Sequence, residues 1–567
     1  MASDLKQFSL HPALGGLDIS SDPSVLDPNF LTASNNVEYL EGGQRRKRGG
    51  TAVYSTALST GGGTNPLTSG TGKFLPATSN PQPVRALADF WTYGTTITPT
   101  QQLVAVSGNS IFGSTGDGLW TAITTTSSFG STGSVNTTIT LAGGFAVIND
   151  PAGATLPVAI TSGLALKQFN SSGMTSLPIY TAGSYHLNRL FTGGLSTAPS
   201  AVNFTAANNI FDSTGTDTGS FTVAIGDGDQ VMGLSEPFYG SLYVWKGPQR
   251  GSVWQISGNT PSAFALAEVA HGAPLLNPKA LVSTPTDIYW MSNYGVHSLQ
   301  TTVKFGNVEQ AFLSLPIQSL WRNRLIVRSA LQNVWGGWAP DRNIVFWAVT
   351  PAGSTTATYL LVYNYALSDP KPGGKKFWSI WILPNGLASG TTILTPSAVD
   401  PTHAGDPHMW FRETDGQVYI ANQDASDSQF NDGGLPYTYT IRTPVITRYP
   451  APGGASPETI EKQHVSVTTY FNPHTPSATA ALTVTVDRRQ QTYTVDLSGG
   501  GAKFDIDAIW DSSLFSGNDF NYFETPIEDR GRSISLQYDQ ASLNTDCEIF
   551  GYSVRYKDAE TVPLEAS

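Results

Sequence analysis

The chain has 567 residues, 40% of them hydrophobic and 11% aromatic, which is enough apolar surface for packed cores. Only 13% are charged, against about 25% in an average domain, while Gly (57) and Pro (36) are abundant, a profile of strands and turns rather than of long exposed helices. The net charge of −12 argues against a sequence-independent grip on a polyphosphate, and the single cysteine, Cys547, excludes an intrachain disulfide or a cysteine-rich metal site.

Residues 1–13 lack a basic region followed by an apolar one, so no secretory signal is expected. No run reaches the roughly 18 apolar residues of a spanning helix, and a soluble cytoplasmic product is expected. Residues 1–80 read as an N-terminal arm followed by a Ser/Thr/Gly-rich loop over 55–79. Residues 124–140 read as a polar insertion between strands. From 81 to 440, short β-branched and aromatic runs cut by Gly, Pro, Asn and Asp predict strands at 102–106, 144–148, 241–245, 287–291, 343–348, 359–363 and 409–412. Most of these strands begin roughly 40–65 residues apart, close to what a four-stranded propeller blade with loop insertions occupies, with room for about six to eight blades. The segments DIYWMSNYGVHSL (287–299) and MWFRETDGQVYI (409–420) read as hairpins, the first half-buried, with Ile288 and Trp290 alternating on one strand and Val296 and Ser298 on the next. From 441 to 567, alternation of apolar residues with Thr or Ser predicts strands at 463–471, 481–486, 491–497, 530–538 and 548–556, a β-sandwich-like domain. The fold class is therefore all-β: a β-propeller body with an N-terminal arm and a C-terminal β-sandwich-like domain.

Catalytic chemistry has few footholds. No His-Glu-x-x-His or zinc-spaced His/Cys set occurs, nor a Gly-x-Ser-x-Gly elbow. Gly70-Thr71-Gly72-Lys73 lacks the first glycine and the hydroxyl residue of a phosphate loop, and reads as a flexible loop. Gly226-Asp227-Gly228-Asp229 lacks the spaced ligands of a calcium loop and reads as a tight turn. Asp415, Asp424, Asp427 and Asp432 read as a solvated loop. No catalytic, cofactor or metal residue is expected, and no enzymatic activity. The one concentrated charge is Arg45-Arg46-Lys47-Arg48 between glycine pairs. Two readings stand: a site for phosphate or an acidic partner surface, or an exposed hairpin whose cations keep an edge soluble. On either, replacing all four by Ser is expected to leave the fold intact.

Motifs in order along the chain carry a resemblance. Gly15-Gly16-Leu17-Asp18-Ile19-Ser20, Pro23, Leu31-Thr32-Ala33-Ser34-Asn35-Asn36-Val37, Gly42-Gly43 and Arg48-Gly49-Gly50-Thr51 open the chain. They are followed by Tyr185 to Phe191, Ile225 to Leu234, Leu242 to Lys246, Val253 to Ile256, Tyr289 to Ser292 with Gly295-Val296, and Leu361 to Tyr365 with Phe377 to Trp381. The series resembles the β-propeller virion proteins of short-tailed phages, the tail nozzle or tail tubular protein B family. The resemblance implies a virion protein, assembled in the host cytoplasm as a ring of six copies below the portal and adaptor. It implies contacts with the adaptor or tube protein and with tail fibres, and DNA passing through without tight binding. The rival expectations are a receptor-binding or polysaccharide-degrading tail protein, in which two carboxylates would cleave a glycan, and a cellular propeller that scaffolds protein partners.

Overall fold

The computed structural model describes residues 5–10, 15–40, 43–53, 84–93, 99–114, 120–123, 137–151, 156–169, 177–305, 312–340, 342–369, 371, 374–387, 392–394, 408–412, 416, 418–421, 430–449, 460–472, 478–498 and 521–559. Of these, 54% are strand and 6% helix, so the fold is all-β. The glycine-rich segments at 55–79 and 70–73, and Asp415, Asp424 and Asp427, lie outside the described residues.

Among the described residues, seven antiparallel sheets follow one another between Val84 and Ala421. The first four each hold four sequential strands: Val84–Ile123, Thr138–Gln168, Ala182–Thr222 and Gln230–His271. The fifth has three, Leu281–Ser283, Ile288–Met291 and Val296–Ser298, with a bridge between His297 and Phe312 in the place of a fourth. The sixth runs from Trp335–Ala339 to Phe377–Leu387, and the seventh holds Thr392–Leu394, His408–Arg412 and Val418–Ala421. The first strand of each sheet packs against the start of the next, and the seventh returns to the first through Thr392–Leu394 and Val84–Tyr93. This is a closed ring of seven blades, with the first strands on the axis.

Indole N–H groups tie neighbouring blades while their rings fill the core between them. Trp290 donates to the Ala273 carbonyl (3.3 Å), Trp347 to Ala280 (3.0 Å) and Trp378 to Leu313 (2.9 Å), so these three buried tryptophans keep their one donor satisfied. The 287–299 hairpin forms with the expected turn, but Ile288–Met291 and Val296–Ser298 are buried on both faces, because blades cover the sheet from either side. Thr138–Ala142, expected to fall in a polar insertion, is the axial strand of the second blade, with Thr140 buried.

The N-terminal segment is an arm woven into both domains. Thr51–Val53 pairs with Val418–Ala421 and completes the seventh blade with a strand from the far end of the chain. Ala33–Asn35 lies between Phe377–Leu387 of the sixth blade and Tyr439–Arg442, making one nine-stranded sheet that runs on through Ile534–Gln540, Thr479–Val486 and Arg489–Asp496. The second sheet of the sandwich takes Lys6–Leu10, Val37–Tyr39 and Arg45–Lys47 beside Glu548–Asp558, Lys462–Asn472 and Asn521–Gly531. Phe8, Tyr39, Val467, Ile549 and Val554 of this sheet meet Tyr439, Leu482, Leu536 and Tyr538 of the other in one core. Residues 530–538, expected as a single strand, straddle the turn between Asn521–Gly531 and Ile534–Gln540.

Candidate functional site

The basic run lies inside the molecule. Arg45–Lys47 is an internal strand between Val37–Tyr39 and Glu548–Asp558, so alternate side chains point into the protein. Arg45, Lys47 and Arg48 are at most 2% exposed, and only Arg46, whose side chain is 20% exposed, reaches solvent. Both an exposed solubilising hairpin and a surface patch of four cations are corrected by this burial. Arg48 makes a bidentate pair with Asp432, Nη1 to Oδ1 at 2.9 Å and Nη2 to Oδ2. Its Nε donates to Asn36 Oδ1 (2.9 Å), and its plane lies 4.0 Å from the Tyr437 ring. Burial pulls this guanidinium down, and Asp432 more than offsets it, holding it above its ordinary value. Asp432, expected in a solvated loop, is thus a buried counter-ion. Lys47 Nζ donates to Gln540 Oε1 (2.7 Å) and the Ser542 carbonyl (3.2 Å), and burial pushes its ammonium down to about 8. Arg46 faces Asp546 at 3.5 Å. These partners come from the segment that follows the seventh blade, where Asp432 bridges to Thr51, and from the sandwich, so the run is the joint between the two domains.

The ring axis holds a cavity of about 280 Å³ lined by the first strands, including Ala86, Thr138, Gly183, Leu281 and Gly336. Lys279, between the fourth and fifth blades, reaches across it and donates to the Arg85 carbonyl of the first blade (2.9 Å). Arg85 in turn pairs with buried Asp150 at 3.0 Å. Glu236 also lines the cavity: it is solvent-accessible, yet protein surrounds it, and that desolvation raises its carboxyl. A DNA duplex, whose major groove alone is about 12 Å wide, cannot enter a passage spanned by one lysine.

Other polar clusters are structural. Gly226 and Gly228 adopt φ of 87° and 86° in a tight turn. Asp227 pairs there with buried Lys246 at 2.7 Å, and Asp229 accepts from the Gln249, Arg250 and Gly251 amides. Ser292 and His297 sit 2.8 Å apart but are fully buried under Trp290, and burial pushes the imidazole down to about 3. Among the described residues no group of three or more His, Cys, Asp or Glu could hold a metal ion, and no helix is long and apolar enough to cross a membrane.

Sequence reading missed a second cationic group. Arg322, Arg324 and Arg328 are all exposed, around the C-terminal end of the short helix Ser319–Arg322. The signal was present in composition: between Glu309 and Asp341 the chain has these three arginines and no acidic residue.

No protein-family model matches the chain, and no curated protein matches it. Among solved structures it is similar to an exo-β-1,3-galactanase from Phanerochaete chrysosporium (10% identity, 89% of this chain and 100% of that chain, TM-score 0.26). It is also similar to a mutant Trypanosoma rangeli sialidase (10%, 92% and 97%, 0.29) and to the WD40 domain of SCAP from fission yeast (10%, 72% and 95%, 0.27). At these scores the likenesses carry no functional argument.

Proposed function

We propose that this chain is a structural subunit of a phage tail nozzle, acting by assembly and conduction rather than by catalysis. The observation that carries the reading is the placement of the motifs that resemble that family. The Ala33 to Val37 and Arg48 to Thr51 segments form the joint at which the arm enters the sixth blade, the sandwich and the seventh blade. A ring that passes load from a portal to distal tail parts needs subunits whose domains do not hinge, and a nine-stranded sheet shared by both domains resists hinging. Because Lys279 spans the propeller's own axis, DNA would travel through the opening enclosed by several copies, joined head to tail by a heterologous interface around a closed ring.

The test is proteomics of gradient-purified particles followed by imaging of tails labelled with antibody to this chain. Six copies per tail, located between adaptor and fibres, is the expected result. Absence from particles, or release of reducing ends from host polysaccharide by the purified protein, would overturn it.

A further inference from the structure

We propose that Arg322, Arg324 and Arg328 form a contact site for the phosphate backbone of nucleic acid. The three side chains belong to one short, pinned piece of backbone. Arg322 ends the helix Ser319–Arg322, Arg324 follows at φ 54°, and the Arg328 guanidinium returns to donate to the Trp321 carbonyl at 3.0 Å, placing it beside Arg322. The stretch between them is fastened to the sixth blade. Val327 donates its amide to the Thr350 carbonyl (2.8 Å), the Ala352 amide donates to Leu325 (2.8 Å), and Leu320, Trp321, Ile326 and Leu331 are buried beneath. The cations are therefore held on a fixed platform.

Among the described residues, no carboxylate forms an ion pair with any of the three. Three exposed arginines of the sandwich differ: Arg489 faces Asp529 at 2.7 Å, Arg530 faces Glu461 at 2.8 Å, and Arg555 faces Glu524 at 2.9 Å. Arg442, Arg488 and Arg532 are exposed like the proposed group, which is set apart by three arginines within seven residues on one pinned segment. Three uncompensated guanidinium forks on an acidic protein call for an anion from outside, and their planar donors match phosphate oxygens. The exposed residues around them are Asn323, Ser329, Gln332 and Asn333, side chains that also donate to phosphate, with Leu325 as the apolar exception. Protein interfaces also enrich arginine, but around aromatic anchors, and no exposed aromatic residue lies between Trp321 and Trp335, both of which are buried. This inference goes beyond the tail assignment, since it rests on the arginines alone.

Three phosphate contacts give a weak, salt-sensitive site, with affinity falling about 40-fold between 50 and 200 mM salt. Contact at low salt with none at physiological salt suits a guide rather than a clamp. The experiment is fluorescence anisotropy of a labelled 20-base-pair duplex with the full chain. Comparison proteins are the triple variant Arg322→Ser, Arg324→Asn, Arg328→Ser and a control triple removing the exposed cations Arg250, Lys371 and Lys375. Expected are binding by wild type and control at 50 mM salt with the steep salt dependence, loss of at least tenfold in the arginine variant, and unchanged thermal melting. Absence of wild-type binding at 50 mM salt, or equal losses in both triples, would overturn the site. So would binding of poly-glutamate in preference to DNA, which would assign the arginines to an acidic protein surface.

Discussion

Two arginine groups of similar composition meet opposite fates. Arg45 to Arg48 is contiguous and conspicuous, yet it is interior and paired, whereas Arg322, Arg324 and Arg328 are dispersed, exposed and unpaired by carboxylates among the described residues. Local density of charge does not decide exposure. What decides it is whether distant chain supplies a counter-ion or a hydrogen-bond acceptor: Asp432, the carboxylate on Arg48, lies 384 residues away, and Gln540, whose amide oxygen accepts from Lys47, lies 493 away. The lesson is that a charge run inside an apolar alternating segment, here between Val37-Glu38-Tyr39 and Thr51-Ala52-Val53, should be read as a candidate interior strand.

Breaking the interior pair has the largest expected effect. Arg48→Ala or Asp432→Asn alone should cost about 3–5 kcal/mol, since each leaves a buried charge without its partner, while Arg48→Met with Asp432→Leu should cost less than either. Denaturant unfolding of the three variants measures this. It replaces the expectation that the run can be exchanged for Ser without harm.

Acid sharpens the contrast between buried and exposed ionisable groups. Burial holds His297 down to about 3 and His464 to about 4, with His464 bonded to Tyr449 at 2.7 Å. Both folded values are depressed below about 6.5, so the stability they contribute is present above pH 6.5. It is lost as pH falls toward 3–4, by about 1.4 kcal/mol per unit for each histidine. Unfolding free energies measured from pH 7 to 4 should fall accordingly, and His464→Gln should flatten the sandwich share of that slope.

Asp287 runs the other way. Its burial raises the carboxyl to about 6 despite bonds from Ser298 and from the Ile288 and Gln300 amides. A raised acid stabilises the fold below about pH 4 and loses that contribution as pH rises through 6. Asp287→Asn should therefore stabilise the protein by about 1–2 kcal/mol at pH 7 and by nothing near pH 4. The smallest effect belongs to the exposed arginines: replacing Arg322, Arg324 and Arg328 should move the unfolding free energy by no more than about 0.5 kcal/mol.

Much of the fold was legible because strands announce themselves locally. The predicted strands at 102–106, 241–245 and 359–363 fall on the middle strands of blades, the most hydrophobic ones, and seven blades lie within the expected six to eight. The axial strand Thr138–Ala142 was illegible because a strand that faces a polar cavity carries threonine and looks like a loop. The arm was illegible for a different reason: three-residue strands such as Thr51–Val53 have no periodicity of their own and exist through partners hundreds of residues away. The basic joint was located by sequence but misjudged in depth for the same reason.

The strand that closes the seventh blade also sets a timetable for the newborn chain. At roughly 5–20 residues per second, the ribosome needs about 20–80 s to synthesise the 384 residues that separate Arg48 from Asp432. For that interval the first strands of the protein have no sheet to join. Blades one to four, built from consecutive strands, can settle during synthesis, but ring closure and sandwich assembly must follow together once the last third of the chain has emerged. Pulse-labelling with limited proteolysis should show early protection of the first four blades and late, simultaneous protection of the arm, the seventh blade and the sandwich.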